Sequence, residues 1–351
     1  MFGTYKSEDV TILLKDITGL VTPLDTVTRE RFIQSGRHYS AMLPKEYPPS
    51  PDYLAAYQRA LDSYGQLTAA AVATVAEKIY AAKGKKAVLV SLARAGTPVG
   101  ILIKRYLQTK HGFSPPHYTI SIIRGKGIDG NAMDYLLQRH PAKTLQFVDG
   151  WTGKGAIQRE LIKAMEDYPG VSPGLAVLSD PACVAEKSGT TRDFLIPSSC
   201  LNATVSGLLS RTYLREGIIG AKDFHGAAFY KELQAEDLTN SYIDRIESYW
   251  QTADLPLLPT EETADGTGLD EAQKVAAHFQ IKDINLVKPS IGEATRVLLR
   301  RVPWKILVHS LEDTAHLAHL FQLAAEKGVT VEEYPLRHYK ACGLIRSLAD
   351  T

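Results

Sequence analysis

The chain has 351 residues, enough for two or three domains and a sizeable core. Forty basic residues against 39 acidic ones leave a net charge of +1, which excludes a chain coated for nonspecific nucleic-acid or membrane binding but leaves room for a local basic face. The three cysteines, Cys183, Cys200 and Cys342, lack metal-ligand spacing, and neither a signal peptide nor an apolar run of ~20 residues is present, so a soluble cytoplasmic protein with reduced thiols and no membrane partner is expected.

In chain order, the first fifty residues end in an irregular proline-rich segment that reads as a wrap around the body of the protein. Residues 52–82 carry apolar and alanine positions at helical spacing and predict one long amphipathic helix or two joined ones. An alternation follows. Strands are predicted at 87–91, 118–123, 144–148 and 175–179, with helices at 99–109, 132–139 and 156–165 between them. Continuous β-branched runs separated by helices mean an α/β fold with a parallel sheet covered on both faces, whose ligands belong at the carboxyl ends of the strands. A serine- and glycine-rich stretch to Thr212 reads as helix-like, and turn formers and acids over 251–270 mark a linker. Residues 271–351 then form a small α/β domain, with helices predicted at 271–280, 292–301 and 315–327 and strands at 304–309 and 330–334. The expected organisation is therefore a first domain over 1–250, the linker, and a second domain over 271–351.

Two strand ends carry anion-binding chemistry. In Phe147-Val-Asp-Gly-Trp-Thr-Gly-Lys-Gly-Ala156 an acid is followed by a hydroxyl, a cation and glycines that let backbone N–H groups converge at the start of a helix. Thr152, Gly153, Lys154 and Gly155 form a phosphate cradle, and Asp149 is left for sugar hydroxyls or a metal-bound water. In Ser91-Leu-Ala-Arg-Ala-Gly-Thr-Pro98, Gly96 permits unusual backbone angles and Arg94 offers a planar fork for phosphate. Either loop alone also fits an ordinary strand-to-helix turn, and the pair is more specific.

Ser91 to Pro98 resembles the pyrophosphate loop of type I phosphoribosyltransferases, and Phe147 to Ile157 is similar to their loop for the 5-phosphate of phosphoribosyl pyrophosphate (PRPP). The resemblance implies a parallel sheet with a hood, Mg²⁺, and release of pyrophosphate to an unidentified base, amine or RNA-linked acceptor. It places Ser91, Arg94, Ala95 and Gly96 on pyrophosphate, Asp149 on the ribose and metal, and Thr152 to Gly155 on the 5-phosphate. Gly150 stands where that family has a second acid. The loop at Arg124-Gly-Lys-Gly-Ile-Asp129 is expected to be a mobile cover, with Arg124 or Lys126 over pyrophosphate, or else a surface turn. Ser198, Ser199, Asn202, Ser206 and Ser210 either line a hood pocket or pack as small polar side chains.

Over nearly its whole length, through Gly36-Arg-His-Tyr-Ser40, Asp149 to Gly155, Leu195-Ile-Pro-Ser-Ser-Cys-Leu-Asn202 and Asp223-Phe-His-Gly226, the chain resembles a bacterial family of phosphoribosyltransferase-like proteins from tellurite-resistance and stress gene clusters. That family ends in a Pelota-type RNA-binding domain, and its members are also labelled cysteine proteases of the StiP family. The resemblance implies that the helix Gly292-Glu-Ala-Thr-Arg-Val-Leu-Leu-Arg-Arg301 meets RNA. Gly292 offers a helix N-terminus, and Arg296, Arg300 and Arg301 lie on one side, an arrangement that also describes a solvated basic face. Two other readings stand beside the PRPP transferase. One is a non-catalytic sensor of a phosphosugar or nucleotide that reaches RNA. The other is a thiol protease, with Cys200 paired to His225 or His38, or with Cys183. A homo-oligomer is left open.

Overall fold

The computed structural model describes residues 2–252, 255–259 and 267–346. The predicted linker falls partly outside these residues, at 253–254 and 260–266.

The first domain is built on six strands: β1 (Thr11–Ile12), β2 (Val88–Leu92), β3 (His117–Ile120), β4 (Leu145–Val148), β5 (Leu175–Ser179) and β6 (Lys187–Thr190). They lie in the order β1-β3-β2-β4-β5-β6, every pair parallel. Side chains alternate between two apolar layers: Val88, Val90, Leu145, Phe147, Leu175 and Val177 enter one, and Leu89, Val148, Ala176 and Leu178 the other. Burial on both faces is why these strands read as continuous apolar runs. The sequence missed the edge strand β1, too short to show a period, and β6, whose Lys-Ser-Gly-Thr lacks an apolar run.

Six helices belong to this domain: α1 (Thr26–Gln34), α2 (Pro51–Lys83), α3 (Gly96–His111), α4 (Gly130–Leu137), α5 (Ala156–Met165) and α6 (Thr239–Thr252). The predicted long helix is the single helix α2, started by Pro51 at its first position behind the Ser50 cap and ended at Gly84. It is amphipathic towards both ends. From Thr68 to Ala76 every residue is buried, because this stretch runs between the sheet, α3 and α6. Its alanines let the backbones approach closely, and a Cβ built on Gly189 would lie 2.6 Å from the carbonyl oxygen of Ala71.

The expected helix up to Thr212 does not form. Short 3₁₀ turns at Pro197–Cys200 and Ala203–Val205 take its place, and Gly207 and Leu208 both have positive φ. The serines hydrogen-bond the backbone instead: Ser206 Oγ donates to the Asn202 carbonyl, and Ser210 Oγ accepts the Ala228 N–H.

The second domain has four strands, β7 (Val287–Pro289), β8 (Pro303–Val308), β9 (Thr330–Glu333) and β10 (Ala341–Ile345), in the order β7-β10-β8-β9. β8 and β9 are parallel, and β10 is antiparallel to both β7 and β8. Helix α7 (Gly268–His278) covers one face, and α8 (Ile291–Arg300) and α9 (Thr314–Glu326) cover the other. Ile291, Ala294 and Leu298 of α8 share one apolar cluster with Cys200, Leu201 and the core of the first domain.

A carboxylate fastens this contact. Asp193, just past β6, accepts the N–H of Ile291 at 3.0 and 3.1 Å and that of Lys340 at 2.9 Å. Burial pushes its pKa up to about 7, against the opposing pull of those N–H groups and of the Lys340 charge.

Two stability results follow. Gly189→Ala should cost about 1–3 kcal/mol in urea unfolding because backbone, not a flexible side chain, occupies the space, whereas Gly150→Ala, whose nearest neighbour would be Ala95 O at 3.7 Å, should leave stability unchanged. Asp193→Ala should accelerate amide exchange at Ile291 and Lys340 and cost about 1–3 kcal/mol for donors left unpaired. The pH dependence separates charge from shape. A carboxyl whose pKa is raised in the folded state favours folding at low pH, and that contribution is lost as pH rises from the ordinary carboxyl range through about 7. Asp193→Asn should therefore gain stability relative to the natural protein over that interval.

Candidate functional site

The loops leaving β4, β5 and β6 bond the second domain and the loop leaving β2 faces it across a chamber, so the carboxyl edge of the parallel sheet is covered. The loop after β4 shows what this does to the predicted phosphate cradle. Thr152 Oγ1 donates to Asp180 Oδ1 at 2.6 Å and accepts the Ala182 N–H at 3.2 Å. The carbonyl of Gly153 accepts the Tyr339 hydroxyl at 2.5 Å. Lys154 Nζ donates to the carbonyls of Ile284 at 2.5 Å and Val287 at 2.8 Å, and burial lowers its pKa to about 8. Gly155, at φ +69°, turns the chain into α5. The groups expected to hold a 5-phosphate thus hold the second domain and the loop after β5.

Asp149 is buried. Its Oδ1 accepts the Gly150 N–H at 2.8 Å, and burial raises its pKa to about 6. Among the described residues no group of three or more His, Cys, Asp or Glu side chains could hold a metal. Asp149 offers a single carboxylate here, so a Mg²⁺ held by it would take its remaining ligands from water or substrate phosphates.

Within β2, Ser91 is a core residue, its Oγ 2.7 Å from His117 Nε2. Gly96 has ordinary φ, and its role is close approach: a Cβ there would sit 2.4 Å from the Val148 carbonyl oxygen. Ala93, Arg94 and Ala95 do line a chamber of about 480 Å³ between the domains. Arg94 donates to Glu46 at 3.2 Å, to the Leu209 carbonyl at 3.0 Å and to Asn202 Oδ1 at 3.2 Å. Asn202 is the only member of the expected hood set at the chamber wall. The Arg124 loop is no free cover, since Glu160 accepts the N–H groups of Gly125 and Gly127, and Arg124 lies over the Tyr39 ring at 5.7 Å, outside the chamber lining.

Helix α8 is turned towards the first domain and not outward as an RNA-facing helix requires. Gly292 packs near Ser199 and Trp151. Arg296 pairs with Glu293 at 3.2 Å and stands 4.2 Å over the Trp151 ring. Arg300 donates to the Leu201 carbonyl at 2.6 Å, and Arg301 forms a two-pronged pair with Glu30 at 2.7 and 3.0 Å.

The cysteines separate clearly. Burial pushes the Cys200 thiol up to about 12 despite the nearby Arg300 and Arg296, and does the same to Cys342. Neither histidine suggested as a partner for Cys200 serves it: His225 bonds Ser121 Oγ, and His38 bonds Ser40 and the Arg124 carbonyl. Cys183 differs. It is only partly buried and has a positive φ of 55°. Its Sγ lies 3.9 Å from Nδ1 of His338, across the domain interface. His338 Nδ1 also meets the Pro181 carbonyl at 3.2 Å, and Glu271 of α7 accepts the backbone N–H groups of Arg337 and His338 at 2.7 Å each. On the other side, the Asp180 carboxylate accepts the N–H groups of Val184 and Ala185 and shapes the Cys183 loop. The N-terminus of α7 abuts this loop, with Gly268 N donating to Ala182 O at 3.1 Å. Sequence inspection missed His338, which stands 155 residues from Cys183. No spacing in the sequence links it to Cys183.

Comparison with known proteins gives the context of this geometry. Residues 266–347 match the model of the PELOTA RNA binding domain. A protein of Acinetobacter baylyi named "Cysteine protease StiP" is 37% identical over 369 aligned positions, covering 99% of this chain and 94% of that one. Among solved structures, the Helicobacter pylori xanthine-guanine-hypoxanthine phosphoribosyltransferase is 16% identical over 39% of this chain and 75% of its own, with a TM-score of 0.23, too low to carry an argument. The expected PRPP-dependent transferase is therefore corrected: the relative and the family model are both named for a cysteine protease. With its match over residues 3–247, the chain belongs to the family described as tellurite-like stress resistance cysteine protease StiP.

Proposed function

We propose that the protein is a thiol-dependent hydrolase of peptide amide bonds, with Cys183 as nucleophile and His338 as its acid and base. The observation that carries this reading is the 3.9 Å contact between Cys183 Sγ and His338 Nδ1. The Pro181 carbonyl lies 3.2 Å from Nδ1 and 3.8 Å from Sγ and holds the ring beside the sulfur, so that the imidazole takes the thiol proton as the sulfur attacks. The abutting N-terminus of α7 presents the positive end of a helix dipole to the same loop. In the reaction, Sγ attacks the amide carbon to give a tetrahedral oxyanion. Collapse breaks the C–N bond, Nδ1–H gives its proton to the departing amine, and a thioester remains. Water, deprotonated by the now neutral imidazole, cleaves the thioester and restores the pair. The name of the Acinetobacter baylyi relative supports the same class of reaction.

A second reading concerns RNA and rests on another surface of the second domain. His278, Phe279, Trp304 and Tyr334 form a connected ring cluster with centroids 4.7–5.9 Å apart. The ammonium of Lys305 stands 5.1 Å from the Phe279 ring and 5.8 Å from that of Trp304. Trp304 is 38% exposed. An exposed aromatic platform beside a cation suits unpaired bases, which stack on such rings and leave their backbone to the charge. RNA binding through this platform replaces the expectation built on Arg296, Arg300 and Arg301.

Peptide hydrolysis tests the first reading. Cys183→Ser should reduce turnover to background and His338→Ala should lower kcat by roughly 10²–10⁴-fold, while Cys200→Ser leaves it unchanged. Full activity in Cys183→Ser would end the proposal. For RNA, Trp304→Ala should weaken binding of a single-stranded oligonucleotide by about 5- to 150-fold, as expected for loss of one stacked base. Unchanged affinity in Trp304→Ala, with loss in Arg300→Gln, would return the site to α8.

A further inference from the structure

The chamber between the domains is built from an excess of cations. Arg29, Arg94 and Arg211 reach it from the first domain, and Lys288, Arg296 and Arg300 from the second. Only Glu46, held by Arg94, and Glu293, held by Arg296, answer them among the lining residues. The imbalance is energetically unfavourable without a ligand. Burial lowers the pKa of Arg211 to about 9 and of Lys288 to about 7, with neighbouring cations adding to both shifts, and burial holds Arg300 well below the ordinary arginine range. The Nε atoms of Arg29, Arg296 and Arg300 are buried without a hydrogen-bond partner among the described residues. Such donors are normally satisfied, and a group of them around one space means that something else satisfies them.

We infer that this chamber binds a small, multiply charged phosphate-bearing molecule that is gripped by both domains at once. Guanidinium groups in this number match phosphate oxygens, which accept two-pronged bonds and carry the compensating charge. The volume of about 480 Å³ falls in the range of small-molecule sites and suits a group of nucleotide size better than an extended acidic peptide. Tyr39 and Tyr47 in the lining offer ring faces beside the charges, and the Arg211 guanidinium already lies 4.8 Å from the Tyr39 ring. The ligand does not touch Cys183, which is outside the lining, but it tightens the same interface that brings His338 to Cys183. The inference stands on charge and burial alone and is independent of the thiol chemistry.

Titration calorimetry and thermal unfolding with sodium tripolyphosphate and with ADP, at constant ionic strength and with sodium sulfate as control, test it on the full chain. Both phosphate compounds should bind with one site per chain and raise Tm, and sulfate should not. ADP binding more tightly than tripolyphosphate identifies a nucleotide as the ligand, whereas equal or weaker affinity identifies the phosphate chain alone. Lys288→Met should raise the Tm of the free protein, because a partly buried cation crowded by others has been removed, and abolish the ligand-induced rise. Arg300→Gln should weaken binding at least about tenfold, the loss of one charge-assisted pair. Absence of binding by the natural protein at millimolar tripolyphosphate overturns the inference, as does a Lys288→Met protein that is less stable when free and still binds.

Discussion

The carboxylate of Asp193 is the point on which the arrangement of the two domains turns. It leaves the last strand of the parallel sheet and takes backbone N–H groups from the first turn of α8 and from the segment that carries Tyr339 and His338. Two helix-end and loop donors that would otherwise be buried unpaired are satisfied by one side chain. Because one group fixes both α8 and the His338 segment, it sets two things together: which arginines face the chamber, and where the imidazole stands relative to Cys183. Tyr339 on the Gly153 carbonyl and Lys154 on the carbonyls of Ile284 and Val287 add polar contacts of the same kind.

Covering the carboxyl edge of an open parallel sheet changes what its loops do. In such sheets these loops usually meet a ligand directly. Here the glycine-rich loop after β4 meets a domain, and through Thr152 and Asp180 it props the next loop, where Cys183 takes its positive φ. The strand-end chemistry has been divided. The polar turn became a docking surface, the Arg94 loop became one wall of an interdomain chamber, and the thiol moved to the rim of the interface, where it is partly exposed. Cys200, which faces the chamber, is disqualified as a nucleophile by the same burial that surrounds it with arginines.

Much of the architecture was legible because it obeys local periodicity. Helix α5 and strand β5 fall where the pattern placed them, since an amphipathic ten-residue helix and a fully buried five-residue strand advertise themselves. The stretch from Ser206 to Thr212 misled for a physical reason: its leucines suggested helix, while its serines bind nearby backbone and its glycine bends the chain around Tyr5. The site was less legible. Residues 152–155 have the composition of an anion loop, and nothing local tells a loop that holds phosphate from one that holds carbonyl oxygens of another domain. Arg296, Arg300 and Arg301 share a helix side, but which way that side faces is decided by Ile291, Ala294 and Leu298 joining the core around Cys200. The Cys183 and His338 pairing is a property of the docked domains and has no spacing to be read.

The most direct measurement of the central claim, that docking assembles a reactive thiol from two domains, is the rate of alkylation of each cysteine by iodoacetamide across neutral pH, followed by mass spectrometry. Cys183 should react ahead of Cys200 and Cys342, and both His338→Ala and Asp193→Ala should slow Cys183 without exposing the other two. Preferential labelling of Cys200, or a Cys183 rate indifferent to both substitutions, would contradict the account.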